Sequence, residues 1–245
     1  MTRRLGCWFP TAEKGNPARM TVSDIVARPF QWGSAIRGSR IFHPVGVIAS
    51  GSIERVAPPS NGLPIPSSDL VARVSKAGGT PGSLPDFIGL ALRIEPGQVD
   101  ATPWDILLVS AGSGVLSRAL ALRPVTSWTG QPMTTLMPLR YRAKYWWLRA
   151  RILSDISGCG LSLGNVRERI NDGDIEVALD QACGRANFEK VAHLTLTSVV
   201  SPGPGNDVSF DPVVNTAPGL RLFPAWLADL RGRAYARSRD GRDAG

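Results

Sequence analysis

Residues 40–56 read RIFHPVGVIASGSIERV, and the architecture of the chain turns on them. Val45, Val47 and Ile53 alternate with small residues, and β-branched side chains at period two mark a strand. Pro44 belongs at the edge or entry of that strand, since it brings no N–H to a ladder. Gly46, Gly51, Ala49 and Ser50 leave room for another group to approach the backbone. His43, one of two histidines in the chain, reads on this stretch alone as an ordinary core or surface imidazole.

The chain outside this stretch continues in short strands. The segments LVARVS (70–75), FIGLALRI (87–94) and WDILLVS (104–110) are separated by Gly/Pro loops, and each reads as a strand. Residues 112–122 carry a helical pattern before Pro124. Residues 138–152 alternate as one strand, with Arg140, Arg142 and Lys144 on one face and Tyr141, Ala143 and Tyr145 on the other. Residues 163–170 fit a short helix, and 175–182 and 191–200 fit further strands. SPGPGND (201–207) is a turn and SFDPVVNTAPG (209–219) a proline-rich crossing. Residues 1–20 are expected as an irregular N-terminal arm, 21–29 as a short helix, and 224–239 as a closing C-terminal helix with Trp226, Leu227, Leu230 and Ala234 on its apolar side. The expected fold is therefore α+β. It is a single domain over 21–245, built on an antiparallel β-barrel of about eight strands with flanking helices.

Composition narrows the function classes. The chain has 245 residues, enough for one large core. Its 26 glycines and 20 prolines favour turns and short strands over a helical bundle. No apolar run is long enough to cross a bilayer as a helix, and MTRRLGCWFPTAEKG lacks the apolar centre of a signal peptide. Cys7, Cys159 and Cys183 are odd in number and far apart, suggesting neither a disulfide framework nor a zinc site. A cytoplasmic location is the default expectation. The net charge of +8 is concentrated at 137–151 (MPLRYRAKYWWLRAR) and 231–242 (RGRAYARSRDGR). Basic residues interleaved with aromatics suit a nucleic-acid or anionic-membrane surface, and a solvated strand face and tail account for them equally.

The order of segments resembles the catalase-like proteins, specifically the short, catalase-related peroxidase branch, from about Arg40 to the C-terminus. RIFHPVG is similar to the family's R-x-x-H-x-x-G, LVARVSKAGG to its V-R-F-S element, and PDFIGLALRI to P-D-x-x-G-x-A-L-R/K-F. Near the end, Arg231-Gly-Arg-Ala-Tyr235 resembles the R-x-x-x-Y of the family's haem-ligating helix. On a helix, residues i and i+4 share a face, so a guanidinium can lie against the phenol oxygen. With a free phenol pKa near ~10, a cation and ferric iron must together hold the phenolate.

The resemblance implies haem as cofactor, with ferric iron bound by Tyr235 and Arg231 supporting the phenolate. It further implies His43 as the catalytic acid–base residue, and Arg40, Arg73 and Arg242 at the haem propionates. Ser75 would hydrogen-bond His43. The implied substrate is a small-molecule peroxide or a lipid hydroperoxide, with nucleic acid not expected as a partner and homo-oligomerisation left open. Two departures stand out. Ser110 occupies the place of the family's distal asparagine, and Val74 that of the phenylalanine in V-R-F-S. They point to weak disproportionation of hydrogen peroxide, and they keep open a haem-free catalase-like barrel that binds another small or lipid ligand. His193, in VAHLTLTS, is expected to be a barrel residue without chemistry.

Overall fold

The computed structural model describes residues 46–77, 80, 84–96, 102–120, 122–158, 160–201 and 208–223, all of which fall in one compact unit. Among the described residues the first strand, β1 (Gly46–Arg55), pairs antiparallel with β2 (Ser68–Lys76). Beyond β2 follow β3 (Ile88–Ile94), β4 (Trp104–Ser110), the two-residue β5 (Met133–Thr134) and β7 (Lys144–Ile152). On its other edge β1 pairs with β9 (Glu189–Val199), which pairs with β8 (Ile175–Cys183), and β8 pairs back onto β7. Eight antiparallel strands thus close into a barrel. Two further strands extend it. β6 (Leu139–Tyr141) follows β5 along the same edge of β7, and β10 (Arg221–Leu222) adds to β6.

Period-two patterning explains the wall. On β2, Leu70, Ala72 and Val74 are buried while Val71, Arg73 and Ser75 alternate with them on the outer face. On β3, Ile88, Leu90, Leu92 and Ile94 point into the same core, with Gly89, Ala91 and Arg93 outside. Successive strand residues face opposite ways, so this alternation fixes which residues any outer-surface site can use. The interior is packed with aliphatic side chains from every barrel strand.

Between β1 and β9 the register shifts at Ser50/Gly51. A Cβ at Gly51 would run into the carbonyl of Thr195, so the bulge requires a residue without a side chain. At the end of β1, Arg55 organises the loop that follows. Its guanidinium donates to the carbonyls of Ala57 (2.9 Å), Pro58 (2.9 Å), Asn61 (2.6 Å), Leu63 (2.8 Å) and Ile65 (3.1 Å). Leu63 and Ile65 join the core, and the Leu63 N–H donates to Gln181 Oε1 at 3.0 Å. Burial lowers the pKa of Arg55 from its ordinary value, and among the described residues no carboxylate pairs with it. The helical turn α1 (Ser117–Leu120) follows β4, and the longer α2 (Leu163–Asp172) buries Val166 and Ile170 in the core.

The described residues are mostly β, with α2 as their one helix longer than a turn. The expected helices at 21–29 and 224–239 and the arm at 1–20 lie outside the described residues. Two expectations need correction. The helical pattern at 112–122 shrinks to the four residues of α1. The single strand expected at 138–152 is a hairpin: Leu139–Tyr141 and Lys144–Ile152 are joined through Arg142 and Ala143, at φ 48° and 62°. Positive φ at both central positions is the tight turn that suits the right-handed twist of a hairpin. That turn ordinarily uses Asn, Asp or Gly, and Arg-Ala gives no such signal. No helix among the described residues is long and apolar enough to cross a membrane.

Candidate functional site

Arg73 and Ser75 lie on the outer face of the barrel. Strand register puts Gly46, Ser75, Gly89 and Val109 side by side across β1 to β4, and Ile48, Arg73, Ala91 and Leu107 side by side in the next outward row. The two glycines keep this wall low. A Cβ at Gly46 would stand 2.9 Å from Arg73 Cγ, and one at Gly89 would stand 3.0 Å from Ser75 Oγ. The result is a surface of small and aliphatic residues, with one guanidinium and one hydroxyl on it.

The segment 208–216 is tied to the same face. Asp105, at the start of β4, has a fully buried side chain and takes a bidentate pair from Arg93, Nε to Oδ1 at 2.8 Å and Nη2 to Oδ2 at 2.7 Å. Asp105 Oδ2 also accepts from the Asp211 N–H (2.6 Å) and Asn215 Nδ2 (2.8 Å). Arg93 Nη2 reaches the Ser209 carbonyl at 2.7 Å. These bonds place the Phe210 ring against two guanidinium groups, 5.0 Å from that of Arg73 and 5.6 Å from that of Arg93. The hydrogen bond to Asp105 is the main cause of the raised pKa of Arg93.

The barrel interior is filled by aliphatic side chains. A cavity of about 20 Å³ beside Trp104, Ile106, Thr135, Thr216 and Leu222 is the size of a single water. An open cleft of about 440 Å³ between Ser50, Ser52, Asp69, Val71, Glu95 and Thr197 carries carboxylates, which repel an anionic ligand. Among the described residues, Arg73 and Ser75 stand on the outer face of β2, with the Phe210 ring against Arg73. Among the described residues no group of three or more His, Cys, Asp or Glu could hold a metal ion. His43, Arg40, Arg231, Tyr235 and Arg242 lie outside the described residues.

Ser110 does not stand with this surface. It is fully buried; its hydroxyl donates to the Arg123 carbonyl at 2.8 Å and accepts from the Ile88 N–H at 3.2 Å. Val109 takes the outward position beside Gly89. His193 Nε2 lies 3.9 Å from Glu176 Oε2 on the flank of the barrel, away from Arg73.

A second cationic cluster escaped the sequence reading. Arg118, only 2% exposed, donates to the carbonyls of Gly114 (3.3 Å) and Ala186 (3.2 Å) and lies 4.8 Å from the Phe188 ring. Arg149 lies 4.4 Å from the same ring and, with Arg151, pairs with Asp180. Burial, and then the nearby Arg149 charge, lower the pKa of Arg118. The cluster assembles residues from α1, β7, β8 and the turn before β9, so only tertiary structure could bring it to light.

No protein-family model and no curated protein sequence matches this chain.

Proposed function

We propose that the chain is a haem-dependent, hydroperoxide-processing oxidoreductase of catalase-like type, cytoplasmic, acting on a small peroxide or lipid hydroperoxide. The observation that carries the reading is the low outer wall of β1 to β4, in which Gly46 and Gly89 lie in register with Ser75 and the Arg73 guanidinium occupies the adjoining row. Such a wall lets a flat ring lie close to the backbone, and an arginine can take a carboxylate arm by charge-assisted hydrogen bonds. Arg40 and Arg242 would share that task with Arg73. Tyr235 would provide the oxygen ligand, held as phenolate by Arg231. Haem, when bound, supplies ferric iron for cleavage of the peroxide O–O bond. His43 would take the proton from one peroxide oxygen and return it to the leaving oxygen, the work of a neutral imidazole. The engagement of the Ser110 hydroxyl by two backbone groups supports peroxidase turnover over disproportionation, since that side chain is not available to orient peroxide.

A haem-free barrel binding another ligand on the same face is the second reading, favoured by the Phe210 ring already stacked on Arg73. Purified protein supplied with haem during expression, or titrated with hemin, is expected to show a Soret band. Tyr235→Phe, which keeps the ring and removes the oxygen, should shift or abolish it. A wild-type protein that gives no Soret band under either condition refutes the haem reading and leaves the haem-free barrel.

A further inference from the structure

The β6–β7 hairpin carries a charged surface that the proposed chemistry does not use. Arg140, Arg142 and Lys144 are exposed at its end, Arg140 on the face of Tyr145, Lys144 on that of Tyr141 and Arg142 in the turn, and Arg221 of β10 stands directly opposite Arg140. Like charges placed opposite each other across strands are destabilising, so this arrangement suits a surface that meets negative charge. None of these four side chains has an ion pair to a carboxylate among the described residues. In the adjacent turn between β8 and β9 and at the start of β9, Arg185 and Lys190 outnumber Glu189. Beside the cations sit two partly exposed rings, Tyr145 at 41% and Phe223 at 39%.

We infer that this hairpin docks the barrel onto an anionic lipid surface, through the Arg140, Arg142, Lys144 and Arg221 cations with Tyr145 and Phe223 at the interface. Basic residues near an anionic bilayer gain by electrostatic attraction, and aromatic rings favour the headgroup level. The ring geometry distinguishes this surface from a nucleic-acid site. Binding to single strands relies on free ring faces on which bases stack. Here Tyr145 and Phe223 pack against each other at 4.7 Å and 53°, and the Arg142 guanidinium sits 5.1 Å from the Tyr141 ring. Each contact takes up part of the ring surface that a stacked base would need. A lipid interface needs only apolar ring edges and nearby charge. The inference stands on this hairpin alone and does not depend on haem.

The test is co-sedimentation of the full chain with phosphatidylcholine vesicles, with and without about a third phosphatidylserine, at low and high salt. Binding to the anionic vesicles, weakened by salt and absent with the neutral ones, is expected. Arg142→Asn/Lys144→Thr removes two charges, which lowers the partition coefficient by roughly 30-fold. Asn tolerates the positive φ at position 142, so this variant should keep the wild-type melting temperature; Arg140→Thr/Arg221→Thr is a second variant that leaves the turn untouched. Binding that both variants retain in full would assign the effect to other basic segments and overturn the inference. So would equal binding to neutral vesicles, no binding at all, or displacement from vesicles by a single-stranded oligonucleotide at equal charge concentration.

Discussion

Replacing Asp105 by alanine should release the segment that places Phe210 over Arg73. The Asp105 carboxylate has no exposed side-chain area and accepts four hydrogen bonds, two from Arg93 and one each from the Asp211 N–H and Asn215. Breaking a buried ion pair by deleting one partner typically costs about 3–5 kcal/mol. Arg93 remains 20% exposed and can recover part of its hydration, so the loss belongs at about 3 kcal/mol. For a domain of this size that lowers Tm by roughly 6–12 °C. Asp105→Asn keeps an acceptor for the Asp211 N–H but weakens the bond to Arg93, and should fall between alanine and wild type. The double variant Arg93→Met/Asp105→Leu should lose less than the sum of its single changes, because neither partner is left alone in the wall. Urea unfolding and calorimetry measure all of these, with proteolysis of 208–216 reporting on the released segment. An Asp105→Ala protein within about 0.5 kcal/mol of wild type, the range of ordinary surface changes, would refute the reasoning.

Two further predictions concern the barrel itself. Gly51→Ala should cost about 2–3 kcal/mol or more, since the new methyl meets the Thr195 backbone across the bulge, and hydrogen exchange should speed first along β1 and β9. Arg55→Ala should cost about 2–4 kcal/mol, because three of its five carbonyl bonds are partly buried; Arg55→Lys should restore only part of this, as read by urea unfolding and by exchange at 57–65.

The strands were legible where side-chain alternation separates a packed interior from an outer face. LVARVS shows Leu70, Ala72 and Val74 turned inward between Val71, Arg73 and Ser75, and WDILLVS, legible as an apolar run, coincides with β4. The two-residue β5 and β10 were not legible, because a pair of residues carries no period. The hairpin at Arg142 and Ala143 was hidden for a different reason: tertiary pairing with β8 and β10 holds a turn that local propensity does not favour. Arg73 and Ser75 were singled out only through the resemblance of LVARVS to V-R-F-S; by pattern alone they are ordinary outer-face residues of β2. Phe210, brought to Arg73 by bonds from Asp105 to residues more than a hundred positions away, offers no local pattern by which to find it.

Closure of the barrel has a consequence for biosynthesis. Ala49 on β1 pairs with Val199 on β9, a separation of 199 − 49 = 150 residues. At about 5–20 residues per second, the ribosome needs roughly 8–30 s to deliver that partner. Throughout this interval the edge of β1 that β9 will cover lacks that partner, with Val47, Ala49 and Ile53 on the same strand. Nascent chains stalled before residue 190 should therefore depend on holdase chaperones more than chains released at full length.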